Sequence, residues 1–249
     1  MPHNRNGNPV IPAFPLLCLE HLTNEGYSMK LHRAQVMILA AQLALAGMAF
    51  GQTYKVENAG APPAAGLSQP LQDALESQGT RVVNDQGSTL LEVWARKTMP
   101  TSSSASGSSD ILYGSLSAGE FVGVLHFPSQ GSDFRSQAIK PGFYTLRYAL
   151  IPQDGNHMGV NATRDAFVLC PVAADVDLGT VLKFDDLVKL GRQSSGTPHP
   201  GFLVGAPVNG DNFPAVVKDD QGHWNLQVKF HGSSGDLPFA FTVVGKWEG

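Results

Sequence analysis

The chain has 249 residues, a formal charge of −4 and two cysteines. It carries no basic cluster and no acidic block, which argues against nucleic acid as a partner and against an acidic interaction tail. Cys18 lies in the first 28 residues, so an exported form cut after residue 51 keeps Cys170 alone. Such a domain has no internal disulfide and needs a core large enough to hold without one.

Residues 1–28 mix Pro, Asn and Gly with PAFPLLCLEHL and show no sustained period. Glu25-Gly26 can be encoded by a ribosome-binding sequence just upstream of Met29. Met29 is therefore the expected true start, with residues 1–28 as translated upstream sequence; the alternative is a long signal-anchor head. Residues 29–51 read as a signal peptide. Lys30, His32 and Arg33 form a basic head, Val36 to Phe50 an apolar run broken only by Gln42, and Ala49-Phe50-Gly51 a small-residue cleavage site before Gln52. The run is shorter than the roughly 20 apolar residues of a membrane-spanning helix, so no span is expected after cleavage. The 198 residues that remain hold 14 positive against 19 negative side chains, a charge of −5. That length suits one good-sized core.

Residues 52–70 are Ala-, Pro- and Gly-rich toward their end and read as a flexible tether, followed by a single domain over residues 71–249. Pro70 opens a short helix with Leu71, Ala74 and Leu75 on one face, and Gly79 ends it. From there the period is two. Strands are expected at 80–84, 88–97, 120–127, 135–139, 143–151, 166–172, 202–205, 213–218, 224–231 and 239–243. The alternation is clearest in Trp224, Leu226, Val228 and Phe230 and in Tyr144, Leu146, Tyr148 and Leu150. Asn84-Asp85-Gln86-Gly87 and Asp219-Asp220-Gln221-Gly222 read as two similar hairpin turns, and Thr98 to Asp110 as a low-complexity loop. A second helix is expected at 183–192, where Phe184, Leu187 and Val188 align. The fold class is all-β: an antiparallel β-sandwich, Greek-key or jelly-roll-like, with one or two short helices.

Chemistry-bearing residues concentrate in IPQDGNHMGVNATRDAF, the long connection between strands 143–151 and 166–172. Within it lie Asp154, Asn156, His157, Arg164 and Asp165. Functional side chains favour loops on a rigid scaffold. Counted as a calcium loop from Asp154, the segment places Met158 where an oxygen ligand is needed, and an EF-hand is rejected. Two chemical readings stay open. His157 oriented by Asp154 or Asp165 is a general base, or the three hold a metal in a metal-assisted hydrolase. The plainer reading is that Asp and Asn close turns while Arg164 and Asp165 pair with neighbours. Trp94, among Glu92 and Arg96 on the polar face of its strand, is a candidate platform for a sugar ring. HExxH, CxxC, GxSxG, P-loop and GxGxxG patterns are absent, and no cofactor is called for. Cys170 in FVLCPV reads as a small buried hydrophobe.

The segments QGTRVVNDQG, LEVWARK, IKPGFYTLRYALIPQDGNHMG and TRDAFVLCP resemble a family of uncharacterised exported β-rich proteins of environmental bacteria, over roughly residues 70–172. The resemblance implies export and a β-rich fold and no activity. The expected function is non-catalytic binding of a carbohydrate or cell-envelope component, in the periplasm or outside the cell. The alternatives are the metal-assisted hydrolase and a structural protein that pairs through an exposed sheet edge.

Overall fold

The computed structural model describes residues 52–101, 108–155, 157, 159, 161–233 and 235–246. The upstream and signal-peptide readings, Asn156 and Trp247 lie outside the described residues. The compact unit spans Gln52–Gly249.

Its strands are β1 (Tyr54–Gly60), β2 (Gly79–Asn84), β3 (Thr89–Ala95), β4 (Phe121–Phe127), β5 (Gly131–Ser132), β6 (Ala138–Ile139), β7 (Gly142–Leu150), β8 (Asp165–Pro171), β9 (Phe202–Val204), β10 (Ala215–Lys218), β11 (Trp224–Gly232) and β12 (Gly235–Val244). Two helices, α1 (Gln69–Ala74) and α2 (Phe184–Ser195), complete the described elements. The protein is thus dominated by antiparallel β-structure. Seven strands form one curled sheet in the order β1-β2-β3-β4-β7-β8-β9, and β10-β11-β12 form a second. The small β5–β6 hairpin stands apart. No helix among the described residues is long and apolar enough to cross a membrane.

Period-two alternation decides which side chains meet. Tyr144, Leu146 and Tyr148 of β7, with Phe167 and Leu169 of β8, enter one core with Leu226, Val228 and Phe230 of β11 and Phe239 and Phe241 of β12. The bridge Gly205↔Phe241 and the bond from Ala206 N to Ala240 O (2.9 Å) join the β9 end of the large sheet to the small one. At the other end β1 lies near β10, and the Tyr54 and Trp224 rings meet edge-on at 5.4 Å. The β9 edge of the large sheet is thus joined to the small sheet by backbone bonds, whereas among the described strands β1 pairs only with β2 and meets β10 through side chains.

The opposite face of the large sheet is covered in two places, over β3–β4 and over β7–β8. Over β3 and β4, Leu67, Leu71 and Leu75 pack on Trp94, Phe121 and Val124. Over β7 and β8, Leu187 of α2 packs on Ala149, Ala166, Val168 and Cys170. Cys170 is unpaired, and burial above all pushes its thiol up to about 12, so it stays protonated and unreactive in the folded chain.

Two expectations are corrected here. The stretch read as a tether, residues 52–70, contains β1, which pairs residue for residue with β2 from Tyr54↔Asn84 to Asn58↔Thr80. Tyr54 and Val56 pack against the core, while Lys55 and Glu57 form an outward ion pair at 3.0 Å. Only four residues alternate before the Ala/Pro run, too few to stand out. Trp94 is not an open platform. Its ring is 1% exposed beneath the α1 cover, and its Nε1–H donates to Gly60 O at 2.9 Å.

Candidate functional site

The site is a groove between α2 and the outward face of β7, β8 and β9. Asp185 and Asp186 in the first turn of α2 and Arg192 in its last suit the helix dipole, and Gly196 (φ 67°) ends the helix in the left-handed conformation. The helix lies tightest on the sheet at Gly191. A Cβ there would meet Pro200 Cβ and Val168 Cγ1 at 2.6 Å each, and the Gly191 carbonyl accepts from Gly201 N at 3.0 Å. Away from that contact the sheet carries Ala149 and Ala166 in place of bulky side chains, so helix and sheet do not fill the space between them. The result is a groove of about 380 Å³.

Its floor is Ala149, Ala166 and Val168, and its walls include Ile151, Phe184, Leu187, Val188 and Phe202. Phe184 is 53% exposed, a large apolar ring left in solvent at the groove. The polar side chains that line it are Arg135, His157, Arg192 and His199. Among the described residues no Asp or Glu lines the groove, although the chain as a whole is acidic.

Each rim residue is held by a local device. Asp133 is buried and accepts from Arg135 N (2.9 Å), Gln137 N (2.8 Å) and Gln137 Nε2 (2.6 Å), which fixes the tight turn that carries Arg135. Burial raises the Asp133 carboxyl above its ordinary range, and these hydrogen bonds oppose the rise without cancelling it. His199 lies between Pro198 and Pro200, with its N–H donating to Thr197 Oγ1 at 3.1 Å. Arg192 Nε donates to Pro198 O at 2.6 Å. His157 Nδ1 donates to Asp154 Oδ1 at 2.6 Å, and the His157 backbone N–H bonds Asp154 O at 3.0 Å.

A second, polar cavity of about 480 Å³ lies beside the groove and shares Ile151, Pro152 and His157 with it. Its own lining includes Asp110, Gln153, Asn161, Thr163 and Arg164. Gln153 Nε2 donates to Asp110 Oδ2 at 2.7 Å, and Arg164 Nε to Ile151 O at 2.9 Å. The Ser108 hydroxyl, more than any other group, holds the Asp110 carboxyl below its ordinary range.

The structure therefore divides the residues expected to act together. Asp154 and His157 do form a pair, and Arg164 borders the polar cavity while tying its own loop. Asp165 is fully buried and turned inward, where it accepts from Leu112 N (2.8 Å), Tyr113 N (3.0 Å) and Tyr148 Oη (2.7 Å). The set Asp154, His157 and Asp165 is thus not assembled as a ligand or catalytic triad. Strand β8 begins at Asp165, so this side chain follows the strand's inward alternation and not the loop. Among the described residues no three His, Cys, Asp or Glu side chains are grouped to hold a metal ion.

Sequence reasoning missed Arg135, Arg192 and His199 as rim residues. One signal was available: Ala149 and Ala166 stand at outward positions of bulky strands, opposite an amphipathic helix whose Phe184 has no apolar neighbour in sequence. Compared with models of known protein families, with curated proteins and with solved structures, the chain matches none.

Proposed function

We propose that this is an exported, non-catalytic binding protein whose α2 groove takes a small amphipathic anion of the cell envelope. The observation that carries the reading is the groove's composition: apolar along floor and walls, rimmed by two Arg and two His, and lined by no carboxylate. Its volume falls in the range of small-molecule sites, and a few placed polar groups around an apolar pocket are what such sites use for orientation. Exposed Phe184 gives a bound apolar body further surface to cover.

The carbohydrate part of the expectation loses its support with Trp94 under α1. The metal-assisted alternative loses Asp165 from its set. We read the two large sheets as layers of a β-sandwich because one core takes side chains from both.

Val188 is half-buried on the groove wall, so Val188→Asp sets a carboxylate beside the ligand without opening the core. Affinity for the anionic apolar dye anilinonaphthalene sulfonate is expected to fall at least about tenfold, from burial of an unpaired like charge. The circular dichroism spectrum should not change. Dye binding equal in both proteins would remove the groove as the site.

Export rests on the basic head, apolar run and small-residue cut of residues 29–51. A second support is that the compact unit begins at Gln52, the residue after that cut. Protein recovered from outside the inner membrane is expected to begin at Gln52 on N-terminal sequencing. Any peptide from residues 1–28 in that material would count against both the cut and the start at Met29.

A further inference from the structure

A groove with an apolar floor and walls and a basic rim sorts its ligands by head group. The rim cation on the helix is Arg192. Its Nε–H is occupied by Pro198 O at 2.6 Å, which orients the guanidinium plane. Among the described residues it has no ion pair and no other side-chain hydrogen bond, so the two terminal NH₂ groups are left for a partner. A guanidinium held in this way presents a fixed planar fork that matches a carboxylate through two parallel N–H···O bonds.

Arg192 follows Phe184 by eight residues on α2, about 12 Å along the helix axis. Between them, the groove runs past Leu187 and Val188 on the helix and past Ala149 and Ala166 on the sheet. These four side chains are all apolar. Phe184, half in solvent, stands at the far end. We infer that the groove takes a straight-chain monocarboxylic acid, its carboxylate on Arg192 and its tail along α2 toward Phe184. The inference rests on the groove being the ligand site and adds the head group, the residue that recognises it and the direction of the tail.

A planar carboxylate meets the guanidinium edge with both of its oxygens, and the decyl phosphate arm of the test reads whether the other cations on the rim, Arg135 and His199, favour a dianion instead.

The test compares decanoate, decanol and decyl phosphate by calorimetry on protein purified from cells expressing the full chain, beside the Arg192→Gln and Val188→Asp variants. Decanoate is expected to bind at least about tenfold more tightly than decanol, the margin of one charge-assisted pair. In Arg192→Gln the two should bind alike at the decanol level, with an unchanged circular dichroism spectrum, and in Val188→Asp both should weaken. If decanoate and decanol bind equally to the unaltered protein and both weaken in Val188→Asp, the Arg192 assignment is overturned while the groove stands. If decyl phosphate binds most tightly, the carboxylate is overturned. If none of the three binds, the inference fails together with the groove reading.

Discussion

Replacing Arg147 with Ala is expected to lower the unfolding free energy by about 3–5 kcal/mol, the range for leaving one partner of a buried ion pair alone. The side chain is 0% exposed, and all five of its N–H donors are used. Nε donates to Asp175 Oδ2 at 2.8 Å, and Nη2 to Asp175 Oδ1 and Asp177 O at 2.7 Å each. Nη1 donates to Gly119 O at 3.0 Å and Thr180 O at 2.6 Å. One guanidinium on the outward face of β7 thus pins the segment that leads from β8 into α2. Ala would leave the buried Asp175 carboxylate with the Thr145 hydroxyl as its remaining side-chain partner and the Asp177 and Thr180 carbonyls without the guanidinium, while Gly119 O keeps Leu182 N at 3.2 Å. Urea unfolding of the two proteins measures the difference, and hydrogen exchange should show the loss first in residues 176–183. A drop below about 1 kcal/mol would mean that water replaces the guanidinium, and that the pair does not hold the segment. Arg147→Met with Asp175→Leu removes both charges and is expected to recover most of the loss, since an apolar pair of similar volume avoids the desolvation of two ions.

Arg147 also marks the boundary of what could be read without the structure. Alternation placed Thr145 and Arg147 opposite the Tyr144, Leu146 and Tyr148 face, and that is where they lie. What alternation does not carry is the cover on the second face, which comes from residues 67–75 and from α2, distant in sequence. The polar face of β7, and Trp94 on the polar face of β3, are therefore buried although their composition reads as solvent-facing. The hairpin turns were legible because their chemistry is local. Asn84 Oδ1 accepts from Gln86 N and Ser88 N, Asp219 Oδ1 accepts from Gln221 N and His223 N, and Gly87 and Gly222 take φ of 76° and 86°. The groove was not legible for the opposite reason. Its rim is drawn from the turn at Arg135, the loop at His157, the end of α2 and the Pro198–Pro200 segment, and only the folded sheet brings these four together. Of the loop read as the site, the Asp154–His157 contact spans three residues and was within reach of sequence. The inward turn of Asp165 depends on where β8 begins.

Asp165→Ala is expected to cost about 3 kcal/mol or more of stability, because it leaves the buried Tyr113 N–H and Tyr148 hydroxyl without an acceptor, each worth roughly 1–3 kcal/mol, and the part-buried Leu112 N–H besides. The carboxylate joins three parts of the chain: the Leu112–Tyr113 segment, Tyr148 on β7 and its own strand β8. Burial first, and the bond to Asp165 second, push the Tyr148 hydroxyl above its ordinary range, so it remains a donor throughout the working pH range. Tyr113 depends on the same anchor. Its hydroxyl donates to Ala206 O at 2.7 Å and accepts from Ala240 N at 2.8 Å, at the junction of the two sheets. Loss of Asp165 should therefore loosen that junction, seen as faster exchange at Leu112, Tyr113 and Ala240. Asp154→Ala is the contrast. Its side chain is 57% exposed, and the change should stay within about 0.5 kcal/mol in stability, as surface substitutions do. Its effect should fall on ligand affinity, because His157 loses the partner that orients its ring beside the groove. The two variants together separate a residue that holds the fold from one that serves the site. If Asp165→Ala kept its stability to within about 1 kcal/mol and lost binding instead, Asp165 would belong to the functional set with His157, and its three inward bonds would be incidental to folding.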